Sequence, residues 1–430
     1  MRHCEGPVRR PGVATRVAAR FARPGRRGSR LSISLSVLLS VIGCTVTGHP
    51  VPDFPDPAAL DTGAYVTEPL TEPEVDDEAY GRVVESVRMA ESAVRPVEVD
   101  AALEHGFGAG IVPLPTPTKA AALLADPVAG VLRRHGMLAG VAVNGSDNDL
   151  RVQPRPGADR FLVITLFRFP DQDAAQRAAR EIDGEDAAVS RENIGVTIPG
   201  YPAAHAHRRP SVPTMAATVA HGSFVVSLLA GHDTPDLGAL TSLVSGAFDR
   251  QLPRLDEFAP TPRAELARLP LDRTGMLGLM VPQAPGRWPP PAVTLSDTDT
   301  VAGWEHLQAS GVVFGPRGGS QFLNRGKEAS PELVAVNGYN ILVRHHDSAS
   351  ARAAYARAVA KQSANSTVRS EQVATDLPDI HCRRVLGDTG WANTFCWVVY
   401  GRYEAVVFGR VADDVRHKAF AQLGLLLRNG

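Results

Sequence analysis

Ala217-Thr-Val-Ala-His-Gly222-Ser-Phe-Val-Val-Ser227 and Cys396-Trp-Val-Val-Tyr-Gly401-Arg-Tyr-Glu-Ala-Val406 share one pattern, 179 residues apart. Each sets a Gly-Ser or Gly-Arg pair between two runs of Val, Ala and aromatic residues. A two-residue type II′ loop needs positive φ at its first position, which glycine adopts without strain. Both stretches therefore read as β-hairpins turning at Gly222-Ser223 and Gly401-Arg402.

Outward from the hairpins the matches continue in order, at offsets of 169–179 residues. Val97-Glu-Val-Asp100 and Val112-Pro113 recur as Leu269-Pro-Leu-Asp272 and Val281-Pro282, and Gly140-Val-Ala-Val returns as Gly311-Val-Val-Phe. The strand Phe161-Leu-Val-Ile-Thr-Leu-Phe-Arg168 enters a helix at Asp171, as Tyr339-Asn-Ile-Leu-Val-Arg344 does at Asp347. Both aspartates suit the N-cap, where a carboxylate accepts from free helix N–H groups. Closing helices over about 235–250 and 411–428 carry apolar residues at helical spacing. The expected fold class is α+β: a tandem duplication of one unit, each a mostly antiparallel sheet covered by helices on one face, related to the ferredoxin-like split β-α-β arrangement. The expected boundaries are a first domain over 78–252 (repeat unit 97–252, preceded by a helix at 78–95), a linker over 253–268 and a second domain over 269–430.

The N-terminus has a different composition. Residues 1–43 hold nine of the 45 basic residues and one of the 46 acidic ones, so 44–430 carries a net charge of −9. A body that acidic argues against nucleic acid as the main partner, because phosphates call for clustered Lys and Arg. Thirteen uncharged residues, 31–43, follow the basic stretch, a secretory-signal pattern. They span about 20 Å as a helix, short of a bilayer core. The run ends at Val41-Ile42-Gly43-Cys44, a lipobox, so 1–43 is read as a lipoprotein signal peptide and Cys44 as the lipidated residue. Arg26-Arg27 lacks the hydrophobic residue that twin-arginine export needs shortly after the pair. Residues 44–77, rich in Pro, Asp, Glu and Thr, read as an acidic extended tether.

With Cys4 and Cys44 accounted for, Cys382 and Cys396 remain. A hairpin centred on Thr389 places them opposite each other, and in an oxidising compartment two such cysteines pair. His205 and His207 would share a strand face, with His232 and Asp233 as further metal donors, but a solvated edge is the plainer reading. Gly315-Pro-Arg-Gly-Gly-Ser320 lacks phosphate-loop spacing and reads as a hairpin loop. His345 and His346 face opposite ways on a strand end. Trp391, Trp397, Tyr400 and Tyr403 read as aromatic core before they read as a carbohydrate or lipid site. No G-x-S-x-G, H-E-x-x-H or S-x-x-K motif occurs. No catalytic residue, metal or cofactor is expected.

With Gly43-Cys44-Thr-Val-Thr-Gly48, the acidic tether, the duplicated unit and Cys396-Trp-Val-Val-Tyr-Gly-Arg-Tyr403, the chain resembles actinobacterial cell-envelope lipoproteins of the mycobacterial and nocardial type. Their conserved region is known only as a domain of unknown function. The likeness covers nearly everything after residue 44, and the four lysines (Lys119, Lys327, Lys361, Lys418) fit Arg- and Ala-biased coding. The resemblance implies a protein held by its acylated cysteine, with palmitate-type chains, on the outer side of the cell membrane. It implies no catalytic residues. The expected function is non-catalytic binding of an envelope lipid, glycan or protein. The alternatives are an envelope hydrolase with a site in the cleft between the domains, and a structural or assembly lipoprotein.

Overall fold

The computed structural model describes residues 55–150, 153–295, 307–364, 370–373, 375, 377–385 and 394–430. Residues 1–43, read from the sequence as a signal peptide, and Cys44 and Trp391 lie outside them. Pro55–Gly430 forms one compact unit. In chain order its elements are α1 (Glu78–Met89), the single turn α2 (Pro96–Val99), β1 (Ile111–Pro113), the single turn α3 (Pro117–Ala120), α4 (Val128–Arg134), β2 (Ala139–Ser146), β3 (Phe161–Arg168) and α5 (Gln172–Ala188). Next come β4 (Ile194–Gly195), β5 (His205–Arg208), β6 (Thr214–His221), β7 (Phe224–Gly231) and α6 (Leu237–Asp256). The second half has β8 (Ala292–Leu295), β9 (Leu307–Ser310), β10 (Val312–Phe314), α7 (Pro316–Phe322), β11 (Leu333–Asn337) and β12 (Asn340–Arg344). It closes with α8 (Ser348–Ala364), β13 (Ser370–Val373), β14 (Ile380–Val385), β15 (Thr394–Tyr400), β16 (Tyr403–Gly409) and α9 (Ala412–Asn429).

Local chemistry sets the element ends. Asp171 Oδ1 accepts from Ala174 N at 2.8 Å, and Asp347 Oδ1 from Ser350 N at 2.7 Å, so both aspartates cap as their positions suggest. Gly222 and Gly401 turn their hairpins at φ of 55° and 52°, while Ser223 and Arg402 keep negative φ, as a type II′ turn requires. Ala174, Ala175, Ala178 and Ala179 are buried on α5, and these short side chains let the helix lie close to its sheet.

The chain is α+β, with two seven-stranded sheets and a separate β8–β9 ladder. The first sheet runs β1-β2-β3-β7-β6-β5-β4 and the second β10-β11-β12-β16-β15-β14-β13, the same order. Every strand pair among the described residues is antiparallel.

Helices cover both faces of each sheet rather than the single face expected. His207 aligns across the first sheet with Ala216, Leu229 and Val163, and it meets Asp183 of α5. Arg168, five residues from Val163, points to the opposite face and meets Glu85 of α1. In the second sheet α9 covers Cys382, Cys396, Val398 and Ala405, while Arg383, on the other face, reaches Ser363 of α8.

Three further expectations are corrected. Gly315–Ser320 is no hairpin loop: Pro316 opens α7, which docks so closely that a Cβ on Gly319 would stand 2.7 Å from Val334 Cγ2. Gly311 precedes β10, whose edge place in the sheet matches β1 and not the strand of Gly140. Residues 55–77 are extended but not free. Tyr65 is buried with its hydroxyl donating to Asp414 of α9 at 2.9 Å, Leu70 N donates to Gly278 O at 3.3 Å, and Glu68 pairs with Arg428. These residues form a strap across the second half.

The two sheets share an interior. One apolar core runs from the first sheet to Val312, Phe314, Val334, Val336 and Val343 of the second, and another lies under α9. Polar contacts fix the junction: Gln321 Nε2 donates to Gly110 O at 3.1 Å and to Asn144 O at 2.6 Å, and Asn324 exchanges hydrogen bonds with the backbone of Gly106.

Candidate functional site

On the α5 face of the first sheet lies a cavity of about 410 Å³, within the usual span of small-molecule sites, about 300–1,000 Å³. Strand alternation builds its floor: Phe161, Val163 and Thr165 of β3 lie beside Leu229 and Ser227 of β7 and Thr214 and Ala216 of β6. Leu123, Leu124 and Val128, from the turn after α3 and from α4, form one wall. Ile182 and Asp186, one helical turn apart on α5, form another, and Gln153 and Pro154 lie at the rim.

The floor carries hydroxyls. Thr165 is only 3% exposed and lines the cavity. Ser227 makes one long contact, 3.5 Å, with Thr218 Oγ1. Asp186 is the one ionisable group among the described lining residues.

Beyond Asp186 the cavity meets a more open recess of about 260 Å³ that shares Asp186, Thr214, Ala216 and Leu229 and adds His207, Arg208, Arg209 and Asn193. His207 is nearly buried there, with Nδ1 2.8 Å from Asp183 Oδ1 and Nε2 3.6 Å from Asp186 Oδ2. Burial raises the Asp186 carboxyl above the ordinary aspartate range, His207 opposing the shift and Asp183 adding to it. Val189 and Leu229 also line the recess, and the former is 64% exposed.

Residue by residue, the structure separates what the sequence put side by side. His205 shares the face of His207 but sits opposite Thr218 rather than in the recess. His232 pairs with its neighbour Asp233 at 2.5 Å. No group of three or more His, Cys, Asp or Glu among the described residues is placed to hold a metal. Both ring nitrogens of His207 face carboxylates and none faces a hydroxyl, so it does not make the base–nucleophile hydrogen bond of a hydrolase. Cys382 and Cys396 are paired in register on β14 and β15 and joined by a disulfide. His345 is buried against Glu404 at 3.1 Å, whereas His346 is exposed.

The second sheet fills the corresponding face. Counting from the hairpin glycines, Thr218 and Ser227 occupy the places of Trp397 and Val406, and Thr165 opposes Ser227 as Ile341 opposes Val406. Trp397 stacks edge-on with Phe395 at 4.8 Å, and Phe408 follows at 5.8 Å. Tyr403 belongs to the core under α9, with Tyr400 packed against it. Sequence reasoning missed the cavity, although short hydroxyl residues at Thr165 and Ser227 against large ones at Ile341 and Val406 are visible in the sequence once the register is known. A smaller pocket, about 230 Å³, lies where α1 and residues 269–274 meet β10 and β11, lined by Val84, Val87, Leu271 and Val313 among others.

Residues 72–271 match the family described as domain of unknown function (DUF7373), N-terminal, and residues 276–429 match its C-terminal counterpart. The crystal structure of the extracellular domain of PknH from Mycobacterium tuberculosis aligns with 12% identity over 43% of this chain and 99% of that one, at a TM-score of 0.24. No curated protein matches the chain. With both regions present in order, from residue 72 to residue 429, the chain belongs to the DUF7373 family.

Proposed function

We propose that this protein is a lipid-anchored lipoprotein of an actinobacterial cell envelope that binds a small envelope ligand without transforming it. The observation that carries this reading is the cavity of about 410 Å³ on the first sheet, walled by leucine and valine, with the hydroxyls of Thr165, Thr214 and Ser227 among its floor residues. The signal peptide at 1–43 and acylation of Cys44 rest on the lipobox. Two acyl chains would anchor the chain stably where one gives marginal attachment. The two halves, 78–252 and 269–430, arose in this reading by duplication. Support comes from their identical strand order and from equal hairpin turns at Gly222 and Gly401. Duplication would free one copy to keep its face filled with aromatic rings while the other opened a cavity.

Native mass spectrometry of protein released from its own membrane tests the binding role. Wild type should carry a small ligand, and Ala216→Trp, which places an indole in the cavity, should lose it. Equal ligand occupancy in both would refute this placement of the site.

A further inference from the structure

Resting on the reading of this cavity as a ligand site, we infer that it selects an uncharged amphiphile bearing hydroxyl groups, with Thr165 and Ser227 recognising the hydroxyls. Thr165 sits at the floor, 3% exposed, as one of the residues that line the cavity. An apolar occupant would cut a cavity-facing hydroxyl off from water at a cost in free energy, and a matching ligand group removes that cost. Ser227, its cross-strand neighbour, has capacity left beyond one 3.5 Å contact. The walls opposite, Leu124, Val128 and Ile182, offer no polar side chain, so the ligand must present an apolar body to them.

Charge narrows the class further. Among the described residues no Lys, Arg or His lines the cavity, and its one ionisable group, Asp186, is acidic. A carboxylate or phosphate seated there would face the Asp186 carboxylate, while the cations of the adjoining recess, His207, Arg208 and Arg209, do not line the cavity itself. A ligand hydroxyl can donate to Asp186 and exchange hydrogen bonds with Thr165 and Ser227. In the second sheet Ile341 and Val406 stand where Thr165 and Ser227 stand here, so the fold does not need hydroxyls at these positions.

Calorimetric titration with three probes of one alkyl chain tests the inference: a monoacylglycerol, the fatty acid methyl ester and the free fatty acid. The monoacylglycerol should bind at least about tenfold more tightly than either analogue. Thr165→Val, which keeps the shape, should remove most of that advantage and leave the ester unchanged, and Thr165→Ser should restore it. Binding of all three probes alike, unaffected by Thr165→Val, would overturn the hydroxyl selectivity while leaving the cavity a ligand site. Absence of binding by every probe would overturn both.

Discussion

Replacing Glu85 by alanine should be among the most damaging single changes in this fold. The Glu85 side chain is fully buried. Its Oε1 accepts from Arg168 Nη1 at 2.6 Å and from Thr261 N at 3.0 Å, and its Oε2 accepts from Thr261 Oγ1 at 2.8 Å and from Arg88. One carboxylate thus ties α1 to β3 and to the connection that leads into the second half. Arg168 is itself buried and otherwise donates only to the Thr261 carbonyl, and burial lowers its pKa against the pull of Glu85. Removing the carboxylate leaves a guanidinium out of water without a counter-charge, a loss of about 3–5 kcal/mol when one partner of a buried pair is deleted. Urea-induced unfolding should register that loss in Glu85→Ala. The double variant Glu85→Ala/Arg168→Met should recover a substantial part, because it removes the stranded charge. A single-variant cost below about 1 kcal/mol, the level of a surface pair, would refute the argument that this carboxylate compensates Arg168.

Changing Cys382 and Cys396 together to serine should destabilise the second half by about 3 kcal/mol, since the bond closes a short loop between residues 14 apart; peptide mapping without reductant should recover the two as one cross-linked species. Asp347 is held below the usual aspartate range by hydrogen bonds from Ser350, first its backbone N–H. A depressed carboxylate stabilises the fold above its unfolded pKa and loses that contribution as pH falls through the folded value, so the urea midpoints of wild type and Asp347→Asn should converge as pH falls below about 4, the ordinary aspartate value. Tyr65→Ala should expose 55–77 to limited proteolysis while the sheets stay intact, because it removes the buried ring and its hydrogen bond to Asp414; cleavage identical to wild type would show that the strap is held elsewhere.

What local chemistry decides was legible beforehand. The glycine turns, the N-caps at Asp171 and Asp347 and the register joining Cys382 to Cys396 each depend on a few neighbouring residues, and each was readable from spacing. Longer-range packing was not. Gly318 and Gly319 mark a turn by composition, yet they lie in a helix because α7 must approach Ala90 and Val334 closely. His205 and His207 looked equivalent, but α5 brings Asp183 and Asp186 to only one of them. The cavity depends on which small residues meet across three strands, and that follows only from the register. Matching words in the chain also misled at the first strands, where Gly311 was set against Gly140 although its strand holds the edge position of β1.

The strap imposes an order of events on folding. Tyr65 and Asp414 are separated by 349 residues, and Glu68 and Arg428 by 360. Closing so long a loop early would fix much of the chain for few contacts, so this contact belongs late in the pathway. A chain emerging N-terminus first makes the strap at the start but cannot complete its docking until α9, its last helix, has formed. The strap then acts as a completion latch: a copy cut short before α9 would lack the partners of Asp61, Tyr65 and Glu68, and that stretch of exposed peptide would mark the unfinished molecule for proteolysis.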